Sequence, residues 1–243
     1  MSFLNYMRAG AVLSFTAMLL SAPPAFAAQE MCAPPSPTKI KVTPRSAKLQ
    51  YDVSRSVEDI QSVKIDTVNP HGFDSMSVTQ GFMEGQIRMT PAVKLNYRQI
   101  PGTRNVCLWY EKIDIKIEID PQIVLAKEVY ADECMRQAVI HHEKKHVTVD
   151  RQIVNKYAKI LGQKVYADIK ARGFSVGPLP VDQAQDTVRR MQNTIFQIVD
   201  FQNKRMNLDR QEAQQAIDSL DEYNRVQALC SQFDVKAAMR SAQ

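Results

Sequence analysis

Residues 133–170 read ECMRQAVIHHEKKHVTVDRQIVNKYAKILGQKVYADIK, a stretch with one glycine (Gly162) and no proline. Its positions recur with helical spacing: Met135, Val139, His142, His146, Val149, Ile153, Tyr157 and Ile160 stand three or four residues apart, as one face of an α-helix requires. His142 and His146 fall on the same series. Lys144, Lys145, Arg151 and Lys156 fall off it and can reach water. The spacing predicts one long amphipathic helix with two imidazoles on its apolar face. Buried ring nitrogens need partners, and a metal ion would satisfy both.

The string His142-Glu143-Lys144-Lys145-His146 is H-E-x-x-H. Residues i and i+4 share a helix face, so the two rings can converge on one tetrahedral Zn²⁺ at about 2.0–2.1 Å. Glu143, beside the first His, is placed to take a proton from a metal-bound water. Composition alone predicts roughly 0.003 such strings in a chain of this make-up. His141 sits about 100° round the helix from His142, so it is not expected as a ligand, and its expected role is to support a ligand or to face solvent.

The third protein ligand is open. There is no His downstream of His146, and position 149 is Val, so the extended pattern with a glycine and a third His is absent. Asp150 lies eight residues beyond His142, about 12 Å along the axis. That is too far for both to reach one ion easily, and orientation of His146 is the better role. The remaining candidates are Asp168, Asp182, Asp186, Asp218, Glu222 and His71. Asp182/Asp186 and Asp218/Glu222 are i,i+4 acidic pairs on predicted helices, where a solvated polar face is the simpler explanation for either pair.

Upstream of the long helix the texture changes. Ile113 to Asp120 reads I-D-I-K-I-E-I-D, a strict alternation that predicts a strand with one buried face. Lys48–Val53, Ser75–Arg88 and Val93–Arg98 also read as strand, a short helix is expected over Ser56–Val63, and Pro101-Gly102 and Asn69-Pro70-His71-Gly72 mark turns. A small antiparallel sheet of three to five strands follows. Downstream, after the Gly/Pro-rich Arg172–Pro180, a helical hairpin is expected. Its arms are Asp182–Lys204 and a helix from Asp209, where Asp209-Arg210-Gln211-Glu212 has capping-box spacing, to about Val226. The predicted fold class is α+β: a small antiparallel sheet packed with the long H-E-x-x-H helix, followed by the hairpin.

Residues 1–27 carry Arg8, an apolar run from about Ala9 to Ala22, and Ala25-Phe26-Ala27. This is the grammar of a cleaved secretory signal; the run is shorter than a membrane span. The expected location is periplasmic or secreted, with no transmembrane segment after cleavage. Four cysteines, Cys32, Cys107, Cys134 and Cys230, suggest two disulfides in an oxidising compartment. Three pairings are possible, and Cys32–Cys230 with Cys107–Cys134 is the expectation. The 243 residues are 44% hydrophobic and 23% charged, with net charge +5, which excludes disordered and multi-span membrane classes. Scattered basic residues and 7% aromatics leave no nucleic-acid footprint.

With these residues in hand, the chain resembles a family of secreted bacterial proteins of unknown function that are predicted to be zinc-dependent proteases. The resemblance rests on Asn105-Val106-Cys107, the alternating strand ending Ile119-Asp120-Pro121, the helix Val139–Val154 and, most specifically, the H-E-x-x-H string. It covers about residues 47–225. It implies Zn²⁺ as cofactor, His142 and His146 as ligands, Glu143 as general base, and a peptide or protein as substrate. The organisation expected is a signal peptide (1–27), a Pro-rich lead-in (28–46), an α+β zincin-like domain (47–175) and a C-terminal helical region packed on it (176–243). A second functional class is a non-catalytic envelope protein that binds a protein partner, its metal structural or absent.

Overall fold

The computed structural model of the protein describes residues 31–63 and 78–241. The expected signal sequence at 1–27, the expected turn around Asn69-Pro70 and the candidate His71 lie outside the described residues.

The alternating stretch is the hub of the fold. It forms the second half of strand β5 (Asn105–Ile119), 15 residues long. Ile113, Ile115, Ile117 and Ile119 are fully buried on one face, while Lys112 and Asp114 on the other form an ion pair. The long strand β4 (Ile87–Gln99) runs antiparallel along one edge of β5, with Val93 opposite Ile113. The hairpin between them turns at residues 100–104. Two short strands share the other edge. Strand β1 (Lys39–Ser46) pairs parallel with residues 112–119, and β7 (Ser175–Pro180) pairs antiparallel with residues 105–109. A second sheet has β6 (Gln122–Leu125) in the middle. It is flanked by β2 (Gln50–Asp52), parallel, and β3 (Gly81–Glu84), antiparallel.

The α+β class holds, and both sheets are mixed, where purely antiparallel pairing was expected. The reason lies in connection length. Residues 39–46 and 50–52 precede their partners by some 70 residues, so no hairpin dictates their direction. The second half of the Pro-rich lead-in is therefore an edge strand, and Pro44 occupies the edge position that a residue without an N–H tolerates.

Helices α1 (Val57–Gln61) and α2 (Lys127–Ala131) are single turns. Helix α3 (Glu133–Arg172) is the predicted helix, 40 residues long and about 60 Å from end to end. Asp132 caps its start by accepting from the Met135 N–H at 2.8 Å. Gly173, at φ +98°, ends it with an N–H bond to the Ile169 carbonyl, the left-handed terminus that favours glycine. Beyond it lie α4 (Ala184–Gln215), α5 (Leu220–Leu229) and α6 (Val235–Ser241).

The hairpin expected to break near residue 205 does not. Helix α4 runs unbroken through Asp209-Arg210-Gln211-Glu212. Lys204–Asp209 contains no Gly or Pro, and Met206 is buried in the core, so packing holds the helix across the apparent cap. The chain turns instead at 216–219, before Ser219 caps α5.

Helix α3 serves two cores. Ile153, Val154, Tyr157, Leu161, Val165 and Ile169 pack with the isoleucine face of β5 and with Met191, Ile195, Ile198 and Met206 of α4. Met135, Val139 and Val147 pack with the small sheet, Val129 and Val226. The H-E-x-x-H turns lie at the junction of the two.

The disulfides are Cys32–Cys107 and Cys134–Cys230, which corrects the expected pairing. Cys134 lies in the first turn of α3, whereas the first half of β5 meets its far end, where the Tyr110 N–H donates to the Phe174 carbonyl. A helix length of about 60 Å separates Cys107 from Cys134. Two disulfides fit an oxidising compartment outside the cytoplasm. Among the described residues no helix is long and apolar enough to cross a membrane.

Candidate metal centre

His142 and His146 project from one face of α3, their ring centroids 5.0 Å apart. Their Nε2 atoms lie 3.2 Å from each other. The loop 216–219 brings Asp218 against both: its Oδ1 is 3.0 Å from His146 Nε2 and 3.3 Å from His142 Nε2. These three atoms form a nearly equilateral triangle from two neutral-capable nitrogens and one carboxylate oxygen, and the group can hold a metal ion. Asp218 thus completes a set of which sequence spacing supplied the first two. It sits in the loop and not on a helix, so the i,i+4 relation to Glu222 was not the signal that places it.

The outer ring nitrogens are also held. His142 Nδ1 lies 3.2 Å from Glu222 Oε1. The same oxygen accepts from Lys145 Nζ at 2.6 Å and Arg225 Nη2 at 2.7 Å. Lys145 therefore folds back onto Glu222 and does not stand free in water. His146 Nδ1 contacts Gln214 Oε1. Gln214 Nε2 donates to the His146 carbonyl at 3.2 Å and to Asp150 Oδ1 at 2.6 Å. Arg210 grips both oxygens of Asp150, at 2.7 and 2.9 Å, and the Gly85 carbonyl at 3.0 Å. Asp150 is 0% exposed and reaches His146 only through Gln214. Neither Gln214 nor Arg210 carried a sequence signal, because each matters only through α4 lying against α3.

Glu143 is 4% exposed. One of its oxygens lies 4.0 Å from His142 Nε2, and the nearby Met83 N–H of β3 favours its charged form. Burial pushes its pKa up, against the pull of the two His rings. Burial also opposes charge on both imidazoles, but Asp218 and Glu143, with Glu222 behind His142 and Gln214 behind His146, outweigh it. The His142 pKa is raised, and that of His146 is raised to about 9. Asp218 resists burial through its hydrogen bonds to both rings and falls to about 2. Arg225 and Lys145 hold Glu222 well below the usual carboxylate range. The junction is a place that favours positive charge, which a divalent ion would supply as well as protons do.

The other candidates are elsewhere. Asp168 lines a cleft of about 280 Å³ with Lys164 and Arg172, 22 residues beyond His146 and so about 33 Å along α3. Asp186 pairs with Arg189 and Asp182 lies in a single turn before α4, at the end of α4 that packs against β7. His141 is exposed, in keeping with its place off the apolar face. No family model matches the chain, and no curated protein or solved structure is detectably similar to it.

Proposed function

We propose that this chain is a secreted or periplasmic zinc-dependent peptidase, with His142, His146 and Asp218 as zinc ligands and Glu143 as general base. The observation that carries the reading is the triangle of His142 Nε2, His146 Nε2 and Asp218 Oδ1, with edges of 3.2, 3.0 and 3.3 Å. A tetrahedral ion with bonds of about 2.0 Å has ligands about 3.3 Å apart. Three protein ligands, and not four, are what a catalytic zinc site presents.

Bound zinc supplies a Lewis acid that polarises a carbonyl and makes a water acidic near neutral pH. Glu143 then has the proton work. Its burial raises its proton affinity, so it can accept a proton from the attacking water and return it to the leaving amine. Glu222 and Gln214 hold the outer nitrogens of the two rings. Strand β3 is an edge of its sheet, and an extended peptide can lie along such an edge.

The depth of Glu143, 4% exposed, favours one other reading: a non-catalytic envelope protein whose metal is structural. Two measurements separate them. Elemental analysis of purified protein should give about one zinc per chain, lost in His142→Ala/His146→Ala. Glu143→Gln should keep the zinc and lose 10²-fold or more of activity on a peptide library. Zinc retained with no hydrolysis by wild type favours the structural metal, and a chain that takes up no zinc sinks both metal readings.

A further inference from the structure

We propose that Gln214 is the positioning residue that fixes the tautomer of His146, and that Asp150, clamped by Arg210, fixes Gln214. A glutamine amide can turn over, and its two ends differ only in whether they donate or accept. Here the choice is forced. Gln214 Nε2 faces the His146 carbonyl at 3.2 Å and Asp150 Oδ1 at 2.6 Å. A carbonyl and a carboxylate only accept, so the –NH₂ must be at that end. Gln214 Oε1 is then the atom that meets His146 Nδ1, and Nδ1 must carry a hydrogen to donate to it. The proton that His146 gives up to a metal is therefore the one on Nε2, the nitrogen facing His142 and Asp218.

Asp150 can impose this because it is an acceptor-only side chain facing the Gln214 amide and is 0% exposed. Arg210 has donors and no acceptor, so it holds both oxygens of Asp150 and cannot accept from Gln214 Nε2. Its remaining contact, with the Gly85 carbonyl, ties the clamp to the residue that follows β3. His142 is set differently, by Glu222 directly. The metal consequence rests on the zinc reading above, whereas the tautomer does not.

The test is Asp150→Asn in the full mature chain. Asparagine has nearly the same shape, but its amide can donate to Gln214 Oε1 and let the Gln214 amide turn over. In Asp218→Ala, which removes the carboxylate that competes for hydrogen on Nε2, long-range ¹H–¹⁵N correlations of metal-free His146 at alkaline pH, where the ring is neutral, should report hydrogen on Nδ1. With Asp150→Asn added to that variant they should report hydrogen on Nε2 in a substantial fraction. Zinc affinity, by chelator competition, should fall 10–100-fold. Gln214→Met, which keeps length and removes the acceptor, should lose affinity similarly and decides the matter if Asp150→Asn does not fold. Hydrogen on Nε2 of His146 in Asp218→Ala, or unchanged wild-type affinity in the folded Asp150→Asn and Gln214→Met variants, overturns the proposal. A wild type that binds no zinc, with hydrogen on Nδ1 in Asp218→Ala, removes the zinc reading and leaves the tautomer lock standing.

Discussion

Replacing Cys134 and Cys230 by serine should separate stability from site assembly. The two disulfides span 75 and 96 residues, and loop-closure entropy values them at about 4.5 and about 4.7 kcal/mol. Removing either should therefore lower stability by a similar amount, on the order of 2–5 kcal/mol. Their places differ. Cys134–Cys230 fastens the end of α5 to the first turn of α3, and the segment between Gln215 and Cys230 carries Asp218 and Glu222. Besides the disulfide, buried Val226 and the contacts of Asp218 and Glu222 help hold that segment down. Cys32–Cys107 lies at the far end of β5. Urea unfolding with and without zinc, together with chelator competition, reads both quantities. Zinc affinity should fall at least tenfold in Cys134→Ser/Cys230→Ser, because the third ligand is no longer held in place. It should stay within about twofold in Cys32→Ser/Cys107→Ser, since nothing at the site is then released. Equal loss of affinity in the two variants would refute the reasoning.

Asp218→Ala should fold, since the side chain lies in a loop, and should cost at least tenfold in zinc affinity, measured by competition with a chelating dye. Metal-free protein should be most stable between about pH 4 and 6.5. His146, with a folded pKa of about 9 against about 6.5 unfolded, contributes stability that is complete below 6.5 and lost as pH rises through 9, on the order of 3 kcal/mol. Asp218, lowered to about 2, contributes stability present above 3.8 and lost as pH falls through 2. Urea midpoints in EDTA from pH 2 to 9.5 check both limbs. Zinc affinity should instead rise with pH over 6.5–9, because the rings must lose protons to bind; calorimetry in buffers of different ionisation enthalpy counts them. Ile115→Ala should destabilise the fold by about 2–5 kcal/mol, as Ile115 is fully buried between its neighbours on β1 and β4. Its zinc stoichiometry should stay at wild type.

Local periodicity determined much of this protein. The alternation Ile113–Asp120 fixed a strand and its buried face, the three-and-four spacing across 133–170 fixed a helix, and H-E-x-x-H fixed two imidazoles on one side of it. Each of these is decided within about two turns of chain, where backbone geometry alone sets which side chains share a face. What lay beyond that range had no local signature. Strand β1 runs parallel to β5, and the cysteines pair by end of the molecule and not by nearness to the termini. Asp209–Glu212 carries a cap pattern that buried Met206 overrides. The third ligand belongs to the same class. Asp218 and Glu222 read as a solvated acidic pair because nothing near them in sequence is cationic enough to claim both. Only the packing of α4 on α3, the turn at 216–219 and the disulfide to Cys134 bring them to the two imidazoles. Asp150, Arg210 and Gln214 depend on the same packing, since a buried charge is stable only where its partners have already been placed around it.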